Sequence, residues 1–347
     1  GDTMRNGYPG YVSGATFAQA LGWTGVEVAS TYGACATGVQ ALDLARAQIL
    51  SGKCDVALAV GADTTPKGFL APNKGTQATT DPDWLRFHLI GATNPTYFGL
   101  YARRRMDLYG ASERDFAKVK VKNSRHGLGN PNARYRKAFN EDEVLASPVV
   151  AAPLHLMDIC ATSDGGAAVV LASKEFARKH STRPVCIAGL ATVTPSYPNT
   201  VIEMPNFSTD SAAVVDLPAV PFRDSIARGA YKEAGLGPGD LDLAEVYDLS
   251  TALELDWYEN IGICDPGGAE KLINDGVTEL GGPVPVNPSG GLACFGEAVP
   301  AQALAQVCEL TWQLRGQADG RQVQGARVGL SVNQGLFGHG SAVLCKV

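Results

Sequence analysis

The chain has 347 residues, 45% of them apolar and 18% charged, with a formal net charge of −6. That length suffices for one large α/β unit or two intimate domains. The acidic balance argues against a general nucleic-acid binder, and no run of about eighteen apolar residues marks a membrane helix. The eight cysteines show neither a CxxC nor a metal spacing. This is the usage expected of reduced thiols in a cytoplasmic protein, and no signal peptide is visible.

Residues 11 to 22 read as a helix ending at Leu21-Gly22. The alternation from Gly25 to Ser30 predicts a strand. Val39, Leu42, Ala45, Arg46 and Ile49 then predict a helix closed by Ser51-Gly52. Between them lies Ser30-Thr-Tyr-Gly-Ala-Cys-Ala-Thr-Gly38, which places Cys35 on a strand-to-helix turn. Unsatisfied N–H groups and the helix dipole there favour a thiolate, and Gly33, Ala34, Ala36 and Gly38 allow close approach to the backbone. A buried structural cysteine is the competing reading. Lys53 to Val60 is an apolar strand, so the run forms a βαβ unit and predicts a parallel sheet covered on both faces.

From Ala62 to Leu156 the pattern loosens into loops at Pro66, Pro72 to Thr80 and Asn130-Pro131, with helices at about 95–109 and 112–125. Such an insertion commonly carries binding. Eleven Lys or Arg residues against three acids lie between Arg103 and Lys137. They form either a solvated helix face or a patch for the phosphates of an acidic ligand such as coenzyme A. Strands follow at 168–171, 184–189, 241–247, 326–332 and 341–345, with helices at 224–235, 251–261 and 297–314. The second half repeats the logic of the first.

The Cys35 turn and its long helix resemble the nucleophile loop of the thiolase superfamily, in its sterol-carrier (SCP-x) branch. The pieces from Lys122 to Pro131 and from Ser147 to Ala168, and the Asn287-Pro-Ser-Gly-Gly291 run, extend the likeness from Gly10 to Val343. The resemblance implies an α/β thiolase fold, a duplicated αβαβα five-layer core with an inserted loop domain. On that resemblance, the family's first strand and helix would be expected ahead of the Cys35 turn and are not read in these residues. The halves would be residues 1–180, with the loop domain at about 62–156, and residues 181–347.

Departures from the SCP-x pattern are informative. Where those enzymes have His-Asp-Cys-Phe, this chain has Tyr247-Asp248-Leu249-Ser250. After the Asn-Pro-Ser-Gly-Gly run, Glu297 stands in place of the thiolase His. The C-terminal loop, Val332 to Gly340, lacks the aligned His. His339 is left either to re-enter the cleft from a shifted position or to serve the structure. Claisen chemistry needs a cysteine nucleophile, a second acid/base near neutral pKa and an oxyanion donor, and two of these are exchanged. Tyr247 and Glu297 suit instead a retro-aldol cleavage of a β-hydroxyacyl-CoA, with Cys35 dispensable as nucleophile. A protonated Glu297 would donate to the enolate; an ionised one would repel it.

The YDLS motif, the Gly-Gly-Leu-Ala-Cys-Phe-Gly-Glu run and the Asn-Gln-Gly-Leu-Phe-Gly-His-Gly ending resemble the thiolase-like aldolases of bacterial steroid side-chain catabolism. That likeness implies a steroid CoA thioester bearing a tertiary D-ring hydroxyl, cleaved to a ring ketone such as androstenedione and propionyl-CoA. It implies catalytic roles for Tyr247, Glu297, Cys35 and His339, and substrate contacts from Asn287, Ser289, Gly290, Gly340 and Asp248. It also implies a homodimer joined by a small zinc-ribbon and OB-fold subunit into a heterotetramer. Zinc is expected only in that partner, and no cofactor in this chain. Tyr97 and Tyr197 are spare candidates for the final proton donor, with a structural role the competing and favoured reading of each. A degradative thiolase using Cys35 and a non-catalytic thiolase-like subunit are the alternatives.

Overall fold

A computed structural model describes residues 13–22, 25–64, 94–196, 220–335 and 338–347. The loops read at Pro66 and Pro72 to Thr80 lie outside these residues. The N-terminal half opens with α1 (Ser13–Ala20) and α2 (Thr37–Leu50), followed by β1 (Val56–Asp63). Gly25 to Ser30 belongs to no strand among the described residues, Gly25 has φ +75°, and Val26 and Val28 are exposed. A strand needs a neighbouring strand to satisfy its backbone, so the expected βαβ unit is not formed among the described residues. Instead β1 pairs antiparallel with β4 (Gly165–Ala172) along its full length, Val56 opposite Ala172 and Asp63 opposite Gly165.

Between these two strands run α3 (Asn94–Tyr109), α4 (Glu113–Gly127), α5 (Glu141–Leu145) and the short hairpin β2 (Val149–Ala151) and β3 (Leu154–His155). Ser112 and Asp115 form a reciprocal capping box that starts α4 where Ala111 ends the preceding loop. Three members of the basic run, Arg105, Lys120 and Lys122, are buried. Arg105 is buried and its guanidinium meets Asp256, Glu259 and Glu270 at 2.6–2.7 Å. Lys120 donates to Ala293 O at 2.8 Å, and Lys122 is bound to Glu254. These three charges answer internal acids and carbonyls, while other members of the run, Arg134, Arg136 and Lys137 among them, are exposed.

The C-terminal half adds α6 (Lys174–His180), β5 (Cys186–Val193), α7 (Phe222–Ala234), β6 (Leu243–Glu245), α8 (Thr251–Asn260), α9 (Ala269–Asn274), α10 (Ala301–Arg315), β7 (Val328–Gly335) and β8 (His339–Lys346). Its sheet runs β5-β8-β7-β6, antiparallel except for the β6–β7 pair. Helices α2 and α10 are sandwiched between the two sheets. Val39, Leu42, Leu304, Val307 and Leu310 pack there with Ala59, Leu171, Leu243 and Val343. On the far side of the larger sheet, Ile226 and Ala230 of α7 pack with Ala342 and Leu344.

The long helix begins at Ala301, not at Glu297. Gly296 has φ +88° and Pro300 takes the N-cap position. Pro300 removes a donor and the preceding residues stay out of the helix. Glu297 sits instead in a bridge with Thr162. This shift of four residues places the carboxylate in the site described next.

The interior carries a polar hub on α8. Glu254, wholly buried, accepts from Lys122 Nζ at 2.5 Å, Asn123 Nδ2 at 2.5 Å, Tyr258 OH at 2.6 Å and Asn287 Nδ2 at 2.9 Å. Removing one member of such a pair strands the other. Lys122→Met is expected to lower unfolding free energy by about 3–5 kcal/mol in chemical denaturation. Arg114→Ala, which removes a surface pair to Glu141, should leave the midpoint in place. Equal effects would show that the buried hub does not anchor the fold.

Candidate active site

Three segments distant in sequence converge on one carboxylate. Cys35 lies in a 3-10 turn, Ala34–Ala36, that precedes α2. The turn is strained: Ala34 adopts φ +49°, held by Thr37, whose hydroxyl donates to Ala34 O at 2.5 Å and accepts from Gly33 N at 2.9 Å. Tyr247 follows β6, with its carbonyl bound by Trp257 Nε1 at 3.0 Å. Glu297 is fixed by its backbone, which donates to Ala161 O at 2.7 Å and accepts from Ser163 N at 3.1 Å.

Cys35 Sγ donates to Glu297 Oε1 at 3.0 Å, and the Tyr247 hydroxyl donates to the same oxygen. Cys160 Sγ approaches Oε2 at 3.9 Å. Cys35, Tyr247 and Glu297 are 5%, 2% and 1% exposed, so their mutual effects are weakly screened.

Burial pushes the Glu297 carboxyl above its usual range, against hydrogen bonds from Cys35 and Tyr247 that favour its ionised form. Burial, with the neighbouring Glu297 charge, pushes the Cys35 thiol well up. Burial, with the Cys35 and Glu297 charges, pushes Tyr247 up as well. These directions run against the expectation that the helix N-terminus would make Cys35 a thiolate. Desolvation and the adjacent carboxylate outweigh the dipole. Glu297 has the lowest ordinary pKa of the three.

The other expected site residues are placed differently. Asn287, at φ +53°, accepts from Val246 N through Oδ1 at 2.8 Å and donates to Glu254. Ser289 gives its N–H and its hydroxyl to the buried Glu245, at 2.9 and 2.7 Å. Gly290 has φ +91°, and a Cβ there would lie 2.7 Å from Gly127 Cα. Asp248 accepts from Leu292 N at 2.8 Å and Ala293 N at 3.2 Å. The four form an internal scaffold that holds the loop leading to Glu297. Gly340 faces α7, where a Cβ would strike Ile226 at 2.4 Å. His339 pairs in register with Gly335, and Gly335 packs against Gly33 O and Ala34. The C-terminal hairpin thus reaches the Cys35 turn. Tyr97 is buried on α3; Tyr197 lies outside the described residues. Among the described residues no group of three His, Cys, Asp or Glu side chains is placed to hold a metal, and no helix is long and apolar enough to cross a membrane.

Two neighbours of the cluster were not among the site residues expected from the sequence. Cys160 is carried in by its N–H bond to Leu249 O at 2.9 Å. Gln302 donates through Nε2 to Cys35 O at 2.9 Å. The sequence signal for Gln302 is a polar stripe, Gln302, Gln306, Glu309 and Gln313, on an otherwise apolar helix.

The thiolase C-terminal domain-like family matches residues 209–345, and the β-ketoacyl synthase N-terminal domain matches residues 2–84. An acetyl-CoA acetyltransferase of Methanothermobacter thermautotrophicus is 33% identical over 322 residues, covering 93% of this chain and 80% of that protein. This chain belongs to the thiolase superfamily, in its SCP-x-like branch. Bovine sterol carrier protein 2 is 35% identical over 337 residues, and the match covers 94% of this thiolase-superfamily chain but only 60% of the sterol carrier. The solved Ltp2-ChsH2(DUF35) aldolase superposes with a TM-score of 0.74 at 26% identity, covering 91% of this chain and 78% of that one. The fold is therefore the α/β thiolase fold.

The raised Cys35 pKa has a direct readout. With peptide mapping by mass spectrometry at pH 7.5, iodoacetamide should label the exposed Cys186 well before Cys35. Labelling of Cys35 should show no inflection below the ordinary thiol range. Rapid labelling of Cys35 at neutral pH would contradict the neutral-thiol assignment.

Proposed function

We propose that the chain catalyses retro-aldol cleavage of a β-hydroxyacyl-CoA, with Glu297 as base and Tyr247 as the hydroxyl through which it acts. The carrying observation is that Glu297 Oε1 accepts from both Tyr247 and Cys35 in a buried site. The substrate hydroxyl gives its proton to the Tyr247 oxygen as Tyr247 passes its own to Glu297. The Cα–Cβ bond breaks, its electrons form the thioester enolate, and the β-carbon leaves as a ketone. The dyad then returns the proton to Cα, so protons balance over the cycle. Cys35 stays a thiol: ionising it would set a second negative charge 3.0 Å from Glu297. Without a thiolate there is no acyl-enzyme, and the Cys35 turn serves as the backbone platform for the enolate oxygen.

The sequence likeness to steroid side-chain aldolases and the Ltp2-ChsH2(DUF35) neighbour support a steroid CoA thioester with a tertiary D-ring hydroxyl as substrate. Products on this reading are a ketosteroid and propionyl-CoA. The DUF35 chain named with that neighbour supports a small zinc-ribbon and OB-fold partner on a homodimer of this chain, acting in the cytoplasm. Zinc belongs to that partner in this proposal.

The test offers a tertiary β-hydroxyacyl-CoA to the chain, alone and co-expressed with a DUF35 subunit, with and without free CoA. Ketone and shortened acyl-CoA should form in equal amounts without CoA. Tyr247→Phe should lose about 10²–10⁴-fold in kcat, and Cys35→Ala should stay within about tenfold of the wild type. CoA-dependent cleavage abolished by Cys35→Ala would establish a thiolase instead.

Acting as base, Glu297 must be ionised. Its upward shift therefore predicts that kcat/KM falls as pH drops through an acid limb above the ordinary glutamate range. Glu297→Gln should erase that limb along with most of the activity. An unchanged limb in Glu297→Gln would remove the residue from the reaction.

A further inference from the structure

Behind the Cys35 turn runs a second buried polar strip, distinct from the Glu297 cluster. Strand β7 alternates its side chains, so Gly329, Ser331, Asn333 and Gly335 share one face. At one end of that face a Cβ on Gly329 would lie 2.9 Å from Leu310 of α10. At the other, a Cβ on Gly335 would lie 2.8 Å from Gly33 O in the Cys35 turn. Ser341 of β8 stands opposite Asn333 on the same face. Facing it on α10, Gln302 and Gln306 lie one turn apart. Each amide is oriented by its nitrogen, Gln302 Nε2 on Cys35 O at 2.9 Å and Gln306 Nε2 on Val246 O at 3.2 Å.

All five polar side chains are at most 1% exposed. Gln302 Oε1, Gln306 Oε1, Ser331 Oγ, Ser341 Oγ and both polar atoms of Asn333 have no hydrogen-bond partner among the described residues. Unsatisfied buried polar atoms at this density are costly, about 1–3 kcal/mol each. Such sites are ordinarily served by internal water. The mixture decides the ligand class. The two glutamine oxygens require donors, whereas Asn333 Nδ2 requires an acceptor. A cation would satisfy the oxygens and repel the amide N–H groups; water supplies both functions.

We propose that Gln302, Gln306, Ser331, Asn333 and Ser341 enclose a cluster of ordered water that fixes the Cys35 turn from behind. Water donating to Gln302 Oε1 locks that amide, and the locked Nε2 holds Cys35 O. Gln302 and Asn333 are then positioning residues for the Cys35–Glu297–Tyr247 cluster. The consequence for catalysis rests on the function proposed above; the hydration itself does not.

A high-resolution crystal structure of the wild-type chain should show water bridging Gln302 Oε1 and Asn333. A strip closed by direct amide and hydroxyl contacts, without water density, would overturn the proposal. Asn333→Leu separates the cases by stability. In a dry strip, leucine removes two unsatisfied atoms and raises the thermal midpoint; in a hydrated strip it breaks the bridges and lowers it. Hydration predicts the lower midpoint, faster alkylation of Cys35, and kcat reduced about tenfold with KM unchanged. Asn333→Ser, which leaves room for one more water, should recover most of each. A stabilised Asn333→Leu with normal Cys35 labelling overturns the proposal whatever the reaction proves to be.

Discussion

The pair of hydrogen bonds that Cys35 and Tyr247 give to Glu297 is the interaction on which the proposed chemistry depends. A carboxylate in a low-dielectric interior is costly unless neighbours donate to it. Here the two donors are the residues that chemistry would otherwise require to be proton-free. Burial first, and then the neighbouring charges and hydrogen bonds, push the thiol and the phenol upward, while the same bonds offset part of the rise that burial imposes on Glu297. A thiolase-type nucleophile and an ionised Glu297 at 3.0 Å would compete for the same stabilisation, since burial pushes both groups upward and the Glu297 charge adds to the rise of Cys35.

The scaffold explains how a loop residue is held to such tolerance. Glu297 does not ride on α10 but on the loop before it, pinned to Ala161 and Ser163. The approach to that loop is set by the Asn287-to-Gly291 run, whose polar groups are turned to Glu245, Glu254 and backbone. Asp248 holds Leu292 and Ala293. This run is a buried clamp, and Gly290 is glycine because its φ of +91° and the adjacent Gly127 leave no room for a side chain. Lys122 and Asn123 on α4 reach into the same hub through Glu254. The inserted region and the C-terminal half are thus locked together beneath the site.

Much of this was legible in the residues. The helical spacing after Cys35 and the apolar runs at 168–171 and 341–345 predicted elements close to those found. Tyr247 and Glu297, exchanged against the thiolase pattern, fall together with Cys35. Other features depend on partners far along the chain. Gly25 to Ser30 has strand alternation, yet no described strand pairs with it. Glu297 reads as the first residue of a helix, and only Gly296 and Pro300 hint otherwise. Arg105 reads as part of a phosphate patch because the acids that neutralise it, Asp256, Glu259 and Glu270, lie more than a hundred residues away. Asn287 and Ser289 look like ligands for a substrate for the same reason: their partners Glu254 and Glu245 are brought in by the fold.

The account stands or falls on whether Cys35 is acylated. Acid quench of the enzyme during steady-state cleavage of a β-hydroxyacyl-CoA, followed by intact-mass and peptide mass spectrometry, addresses this directly. The account predicts unmodified Cys35 while ketone accumulates. A thioester on Cys35 that forms and decays at the rate of turnover would contradict it.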